Sequence, residues 1–151
     1  MTTLASYVII FSVADQKDID KTYLIMAKAW ANLSKAQRKK VGCLIVKDGC
    51  IISDGFNGTP SGFDNSCENR ENLFLVTKPE VLHAESNAIT KLAKSTQSSL
   101  GATMYITINP CVECAKLIIQ SGITRVVYKD FYKDYKGINL LQQAKIKTEN
   151  I

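Results

Sequence analysis

The sequence predicts an α/β fold, a three-layer α/β/α sandwich around a mixed central sheet. Three observations predict it. Apolar residues recur at helical spacing between Tyr23 and Ala31. Short apolar runs of strand length stand at 41–46, 102–107 and 125–128. Between and after those runs lie further helix-period segments, and strands that alternate with helices build layered α/β domains.

In chain order, the first helix is expected from Asp20. Tyr23, Met26, Ala27, Trp30 and Ala31 form its stripe, and Asp18 or Asp20 caps its start. Val41–Val46 and Cys50–Ile52 flank Lys47-Asp48-Gly49 and read as a β-hairpin. The unbroken apolar character of 41–46 predicts a strand covered on both faces. Residues 55–82 are rich in Gly, Asn, Ser and charge and read as a long loop. A helix is expected from His83, with Ala88, Ile89 and Leu92 inward, ending among Ser95 to Ser99. Ala102–Thr107 reads as a strand. Pro110 introduces a helix that runs through Ser121 and stops at Gly122. Arg125–Tyr128 is a further strand, 135–145 the last helix, and 146–151 a short closing strand.

Bulk properties bound the function. With 151 residues, 46% hydrophobic and 22% charged, the chain has the size and composition of one globular domain. Residues 1–16 stand apart as an N-terminal segment to which the sequence assigns no role, and 17–151 form the domain. The apolar run from Tyr7 to Phe11, stretched to Ala14, falls far short of the roughly 20 residues a spanning helix needs. Met1-Thr2-Thr3 lacks the basic start of a secretory signal. No membrane association is expected, and the protein is expected to be cytoplasmic. The net charge of +5 favours anionic partners weakly. Its one tight cluster, Lys35, Arg38, Lys39 and Lys40, is too small for a nucleic-acid surface. Five cysteines cannot all pair, and a chain of this size does not need disulfides. Reduced thiols, some of them metal ligands, fit better.

Two segments carry chemistry: His83-Ala84-Glu85 and Pro110-Cys111-Val112-Glu113-Cys114. Each opens a predicted helix. Three residues apart, Cys111 and Cys114 place their sulfurs on one face of a first turn. A helix N-terminus favours the thiolates that a metal requires. His83 is the sole histidine and can give a third ligand. Two thiolates and a neutral imidazole balance the charge of Zn²⁺ and leave the fourth tetrahedral position open, the pattern of a catalytic rather than a structural site. Glu85, in the first turn beside His83, can reach the same point and carry protons as general acid and base. A lone Cys-x-x-Cys equally fits a redox pair or half of a four-thiolate site, to which Cys43 and Cys50 could contribute. His-x-Glu followed by Pro-Cys-x-x-Cys across a helix and a strand is far more specific and is the signature of zinc nucleobase deaminases.

On these motifs the chain resembles the cytidine and deoxycytidylate deaminase superfamily, and within it the deoxycytidylate deaminases. The matching stretches are Val41–Val46, Gly55-Phe-Asn-Gly-Thr-Pro-Ser-Gly62, His83-Ala-Glu-Ser-Asn-Ala-Ile89 and Gly101–Ile123. The zinc motifs belong to the whole superfamily, whereas the Phe-Asn-Gly-Thr-Pro loop with His-Ala-Glu-x-Asn-Ala-Ile resembles the deoxycytidylate branch. The resemblance implies a cytidine deaminase-like fold and a zinc-dependent hydrolytic deaminase that converts dCMP to dUMP, the precursor for thymidylate. It implies one catalytic zinc on His83, Cys111 and Cys114, with Glu85 as the proton carrier. It places Asn57 at the sugar, Arg38 and Tyr132 at the 5′-phosphate, and Ala84 among the substrate contacts.

Many members of this branch are hexamers activated by dCTP and inhibited by dTTP, with Mg²⁺ on the effector phosphates. Lys91 and Lys94 match helix positions that bear on this regulation, although a polar helix face explains both more simply. Some relatives hold a second, structural zinc near the long loop. Here only Cys67 lies in that region, so one zinc per subunit is expected. The competing readings are a tRNA adenosine or other base deaminase, which shares both motifs, and a structural zinc module.

Overall fold

The computed structural model describes residues 14–151. The apolar run at Tyr7–Phe11 and most of the N-terminal segment lie outside the described residues.

Among the described residues the first elements are helix α1 (Gln16–Ala31) and the hairpin β1 (Gly42–Lys47) and β2 (Cys50–Phe56). A second hairpin follows, β3 (Glu68–Glu71) and β4 (Phe74–Thr77), then α2 (Ala84–Leu92) and β5 (Thr103–Ile108). The chain closes with α3 (Val112–Gln120), β6 (Arg125–Asp130), α4 (Lys136–Gln143) and β7 (Lys147–Asn150). Five strands form one sheet in the order β2-β1-β5-β6-β7. β1 runs antiparallel to β2 and β5, while β5–β6 and β6–β7 are parallel, so the sheet is mixed as expected.

Period-two alternation along the strands splits the core into two layers. On one face Leu44, Val46, Tyr105 and Val127 meet Leu24 and Ala27 of α1. On the other face Cys43, Ile45, Met104, Ile106 and Val126 meet α2, α3 and α4 through residues such as Ala88, Ile118 and Leu141. β1 is therefore covered on both sides, which explains its unbroken apolar run.

Several expectations need correction. The 55–82 segment is not loop throughout, because it contains the β3–β4 hairpin, turned at Asn72 with φ 55°. Glu-Asn-Arg-Glu has no apolar alternation to betray a strand, and only Glu68 of the four is buried. The first helix starts earlier than Asp20, with Asp15 at its N-cap position and no side-chain cap. Its buried stripe is Asp20, Leu24, Ala27 and Ala31, while Met26 and Trp30 point outward. The sheet face is close to the helix and selects alanine. Trp30 instead lies over the sheet edge, where its indole N–H donates to Asp54 at 2.7 Å.

Asp20, expected as a cap candidate, is instead a core anion at 2% exposure. Its carboxylate takes two bonds from Arg125 at 2.8 and 2.6 Å and one from the Tyr105 hydroxyl at 2.6 Å. These ties fasten α1 to β5 and β6. They hold the Asp20 carboxyl down at about 2, with the Arg125 guanidinium as the main cause. Because the folded pKa lies below the unfolded one, the stabilisation is complete above about pH 4 and is lost as pH falls through about 2. It is worth on the order of 2 kcal/mol. Asp20→Asn is expected to lower stability at pH 7 by about 2–4 kcal/mol. In denaturant titrations the gap to wild type should narrow between about pH 4 and pH 2.

Candidate metal centre and cleft

Helices α2 and α3 lie on the same face of the sheet, and their N-termini converge. His83 occupies the N-cap position of α2 and Cys111 that of α3, both with extended backbone. Cys114 follows in the first turn of α3. His83 Nδ1 lies 3.5 Å from Cys111 Sγ and 3.3 Å from Cys114 Sγ. The three donor atoms all lie within 4.8 Å of one another. Zinc bonds of about 2.0 Å to nitrogen and 2.3 Å to sulfur set tetrahedral N···S edges near 3.5 Å, so the donor set fits Zn²⁺. Among the described residues no fourth histidine, cysteine or carboxylate joins this group. Cys43 is buried in the core and Cys50 exposed at the start of β2, so neither completes a four-thiolate site.

The thiols respond to one another. Cys111 is held down to about 3, chiefly because the Cys114 thiol donates to it, with His83 assisting. Cys114 is pushed up by that neighbouring thiolate and by burial. Glu85, 3% exposed, sits beside Cys114, and its carboxyl is pushed up to about 7, first of all by burial.

Two glycines let the supports close. A Cβ on Gly55 would lie 2.2 Å from the carbonyl oxygen of Ala84, so only glycine lets β2 meet the first turn of α2. A Cβ on Gly137 would lie 2.0 Å from the Pro110 carbonyl oxygen and 2.9 Å from that of Cys111. Helix α4 thereby packs directly on the turn that carries the metal ligands. Asn87 adds a tie from α2 to the Phe56 carbonyl at 2.9 Å.

Two of the three ligands, His83 and Cys111, line a cleft of about 470 Å³, with Cys114 buried behind them. His83, Ala84, Glu85 and Cys111 line one end, and Asn57, Arg38 and Tyr132 also border it. Asn57 spends its amide on the backbone, accepting from the Val41 N–H at 2.8 Å and donating to the Lys39 carbonyl at 2.8 Å. Each end of that amide keeps one further hydrogen-bonding position. The Nζ atoms of Lys39 and Lys133 both lie 5.2 Å from the Tyr132 ring centre, so the Tyr132 end is strongly cationic. Lys91 and Lys94 are not brought to the cleft. Lys91 pairs with Asp54 at the far end of α2, and Lys94 is exposed just beyond it.

Sequence reasoning missed two cleft residues. Asn109 is buried, accepts from the Tyr132 N–H and donates to the Asp134 carbonyl at 2.7 Å, tying the Tyr132 loop to the metal loop. Its place directly before Pro110-Cys111 was the available signal. Glu68 gave none, since it sits in a polar run that reads as loop.

The profile of the cytidine and deoxycytidylate deaminase zinc-binding region matches residues 17–130. Deoxycytidylate deaminase of Enterobacteria phage T4 is 34% identical over 170 residues, covering 86% of this chain and 88% of the relative. The same-named protein of Mycobacterium phage D29 is 37% identical over 122 residues, covering 74% and 94%. The crystal structure of dCMP deaminase from the cyanophage S-TIM5, in complex with dCMP and dUMP, superposes with a TM-score of 0.86 at 40% identity. That match covers 91% of this chain and all of the other.

Gly137→Ala is expected to push the Pro110–Cys111 turn outward and cost about 1–3 kcal/mol. Metal content by elemental analysis should fall along with the melting temperature, whereas an Ala placed on an exposed position of α4 should change neither.

Proposed function

From the membership of this chain in the cytidine and deoxycytidylate deaminase family, we propose that it hydrolyses dCMP to dUMP and ammonia. The observation that carries this reading is a buried carboxyl, Glu85, sharing one cleft with His83 and Cys111 of the three-ligand metal set and with a cationic end. The matched structure in complex with dCMP and dUMP supports the substrate.

His83, Cys111 and Cys114 would hold the zinc. When bound, zinc supplies Lewis acidity that makes water a competent nucleophile near neutral pH. Glu85 acts on the protons. Its carboxylate accepts one from the attacking water as oxygen adds to C4, and delivers it to ring nitrogen N3. It then carries the second to the exocyclic amine, the C4–N bond breaks, and ammonia leaves. Burial raises proton affinity and suits Glu85 to both halves of this task, while a nearby dication lowers that affinity again. Ala84 lines the cleft wall beside His83 and Glu85, its chain neighbours. Asn57 faces the sugar, and Arg38 and Tyr132 take the 5′-phosphate, for which a guanidinium and a hydroxyl are suitable donors.

The proposal extends to a homo-oligomer, a hexamer as in similar enzymes, and to control by dCTP and dTTP with Mg²⁺. The positions of Lys91 and Lys94 on and just beyond α2, whose first turn holds Glu85, are compatible with such control. A cytoplasmic setting agrees with five cysteines that form no disulfide. Among the described residues no helix is long and apolar enough to cross a membrane.

Ammonia release should be measured over dCMP, CMP, deoxycytidine, cytidine, dCTP and a stem-loop RNA, each with and without dCTP or dTTP. Turnover is expected with dCMP. Activity on RNA but not on mononucleotide would turn the assignment to a base deaminase. Glu85→Gln is expected to keep full zinc content by elemental analysis while turnover falls by about 10²-fold or more. Full activity in that variant would sink the mechanism.

A further inference from the structure

Arg38 sits on a loop with no regular structure of its own, yet it is held from two directions by one element. Glu68 and Thr77 face each other as the first register pair of the β3–β4 hairpin. The Glu68 carboxylate, 8% exposed, accepts the backbone N–H of Gln37 at 3.1 Å and that of Arg38 at 3.2 Å. The Thr77 hydroxyl accepts from Arg38 Nη1 at 2.9 Å. All three residues border the cleft.

The chemistry of this grip is selective. The Glu68 carboxylate is spent on peptide N–H groups, and the guanidinium is fixed by an uncharged hydroxyl. Among the described residues Arg38 takes part in no ion pair, unlike Arg125, which is held by Asp20 and Glu149. A cation aimed at a cleft but left unneutralised is prepared for an anionic group of the ligand.

We propose that Glu68 and Thr77 are positioning residues that fix Arg38 for the 5′-phosphate, so that the hairpin sets the preference for a nucleoside monophosphate over the bare nucleoside. This rests on the dCMP reading given above. Neither residue touches the reacting ring. Their effect passes through the Arg38 backbone and guanidinium.

The test compares Thr77→Val, Glu68→Gln and Arg38→Ala in the zinc-loaded full chain. The ratio of kcat/KM for dCMP to that for deoxycytidine is measured, with calorimetric binding of dUMP and deoxyuridine alongside. Loss of one hydrogen bond to a charged group predicts a fall in the ratio of about tenfold for Thr77→Val, expressed in the KM for dCMP rather than in kcat. The affinity for dUMP should fall by a similar factor relative to deoxyuridine. In the Arg38→Ala background, Thr77→Val should lower the ratio no further, because the two act as one unit. If deoxycytidine turnover is too slow to measure, the KM shift and the dUMP-to-deoxyuridine affinity ratio decide. A Thr77→Val protein whose ratio stays at the wild-type value, or whose two activities fall equally, overturns the proposal. Wild-type protein inactive on dCMP would instead overturn the functional reading beneath it, a result plainly distinct from an insensitive variant.

Discussion

The convergence of two helix N-termini on one point is the constraint on which the rest of this structure depends. Each contributes a partial positive end and unsatisfied backbone N–H groups, which favour thiolates and would repel a bare cation. Only anionic ligands make a dication welcome there, and Cys111 and Cys114 supply that charge while His83 adds a neutral donor. The approach is enforced from outside. β2 presses on α2 through Gly55, and α4 presses on the Pro110–Cys111 turn through Gly137. Side chains at either position would separate the ligands before they could meet.

Much of this was legible in the sequence because the relevant signals are local. His83-Ala84-Glu85 and Pro110-Cys111-x-x-Cys114 declare themselves by spacing, and the strands of the central sheet by their apolar runs. Helix α3, between Pro110 and Gly122, is punctuated by residues whose backbone preferences are strong. What was not legible depends on partners distant in the chain. Asp20 looked like a cap because a carboxylate near a helix start usually is one. Its true partner, Arg125, lies 105 residues away. The stripe of α1 was misplaced for a related reason. Met26 and Trp30 are bulkier than Ala27 and Ala31, yet the close sheet face takes Leu24 and the alanines and leaves those two exposed, while Tyr23 packs beside Tyr105.

The β3–β4 hairpin escaped notice because its strands carry no buried stripe. Leu73 and Phe74 near its turn are exposed, and its one buried strand residue is the charged Glu68. A carboxylate is a poor core residue by composition and a good one once it accepts several backbone N–H bonds. Pattern reading weighs side chains by polarity alone and so assigns such residues to loops. The same blindness covers Asn109, whose amide bonds the backbone at both ends.

These two hidden residues show how the cleft divides its labour. At the metal end, rigid helix tips fix the ligands and the buried Glu85, because proton transfer tolerates little displacement. At the other end the cations sit on loops, and loops need fastening. Asn109 fastens the Tyr132 loop to the metal turn, Asn57 holds residues 39 and 41, and Glu68 holds 37 and 38. A short polar side chain bonded to the backbone orders a loop without adding apolar bulk to a wet cleft. The proposed chemistry and the proposed recognition are thus supported by different physics, helix packing in one case and buried hydrogen bonds in the other. Substitutions at the recognition end can alter which nucleotide is chosen while the helix tips stay where the sheet puts them.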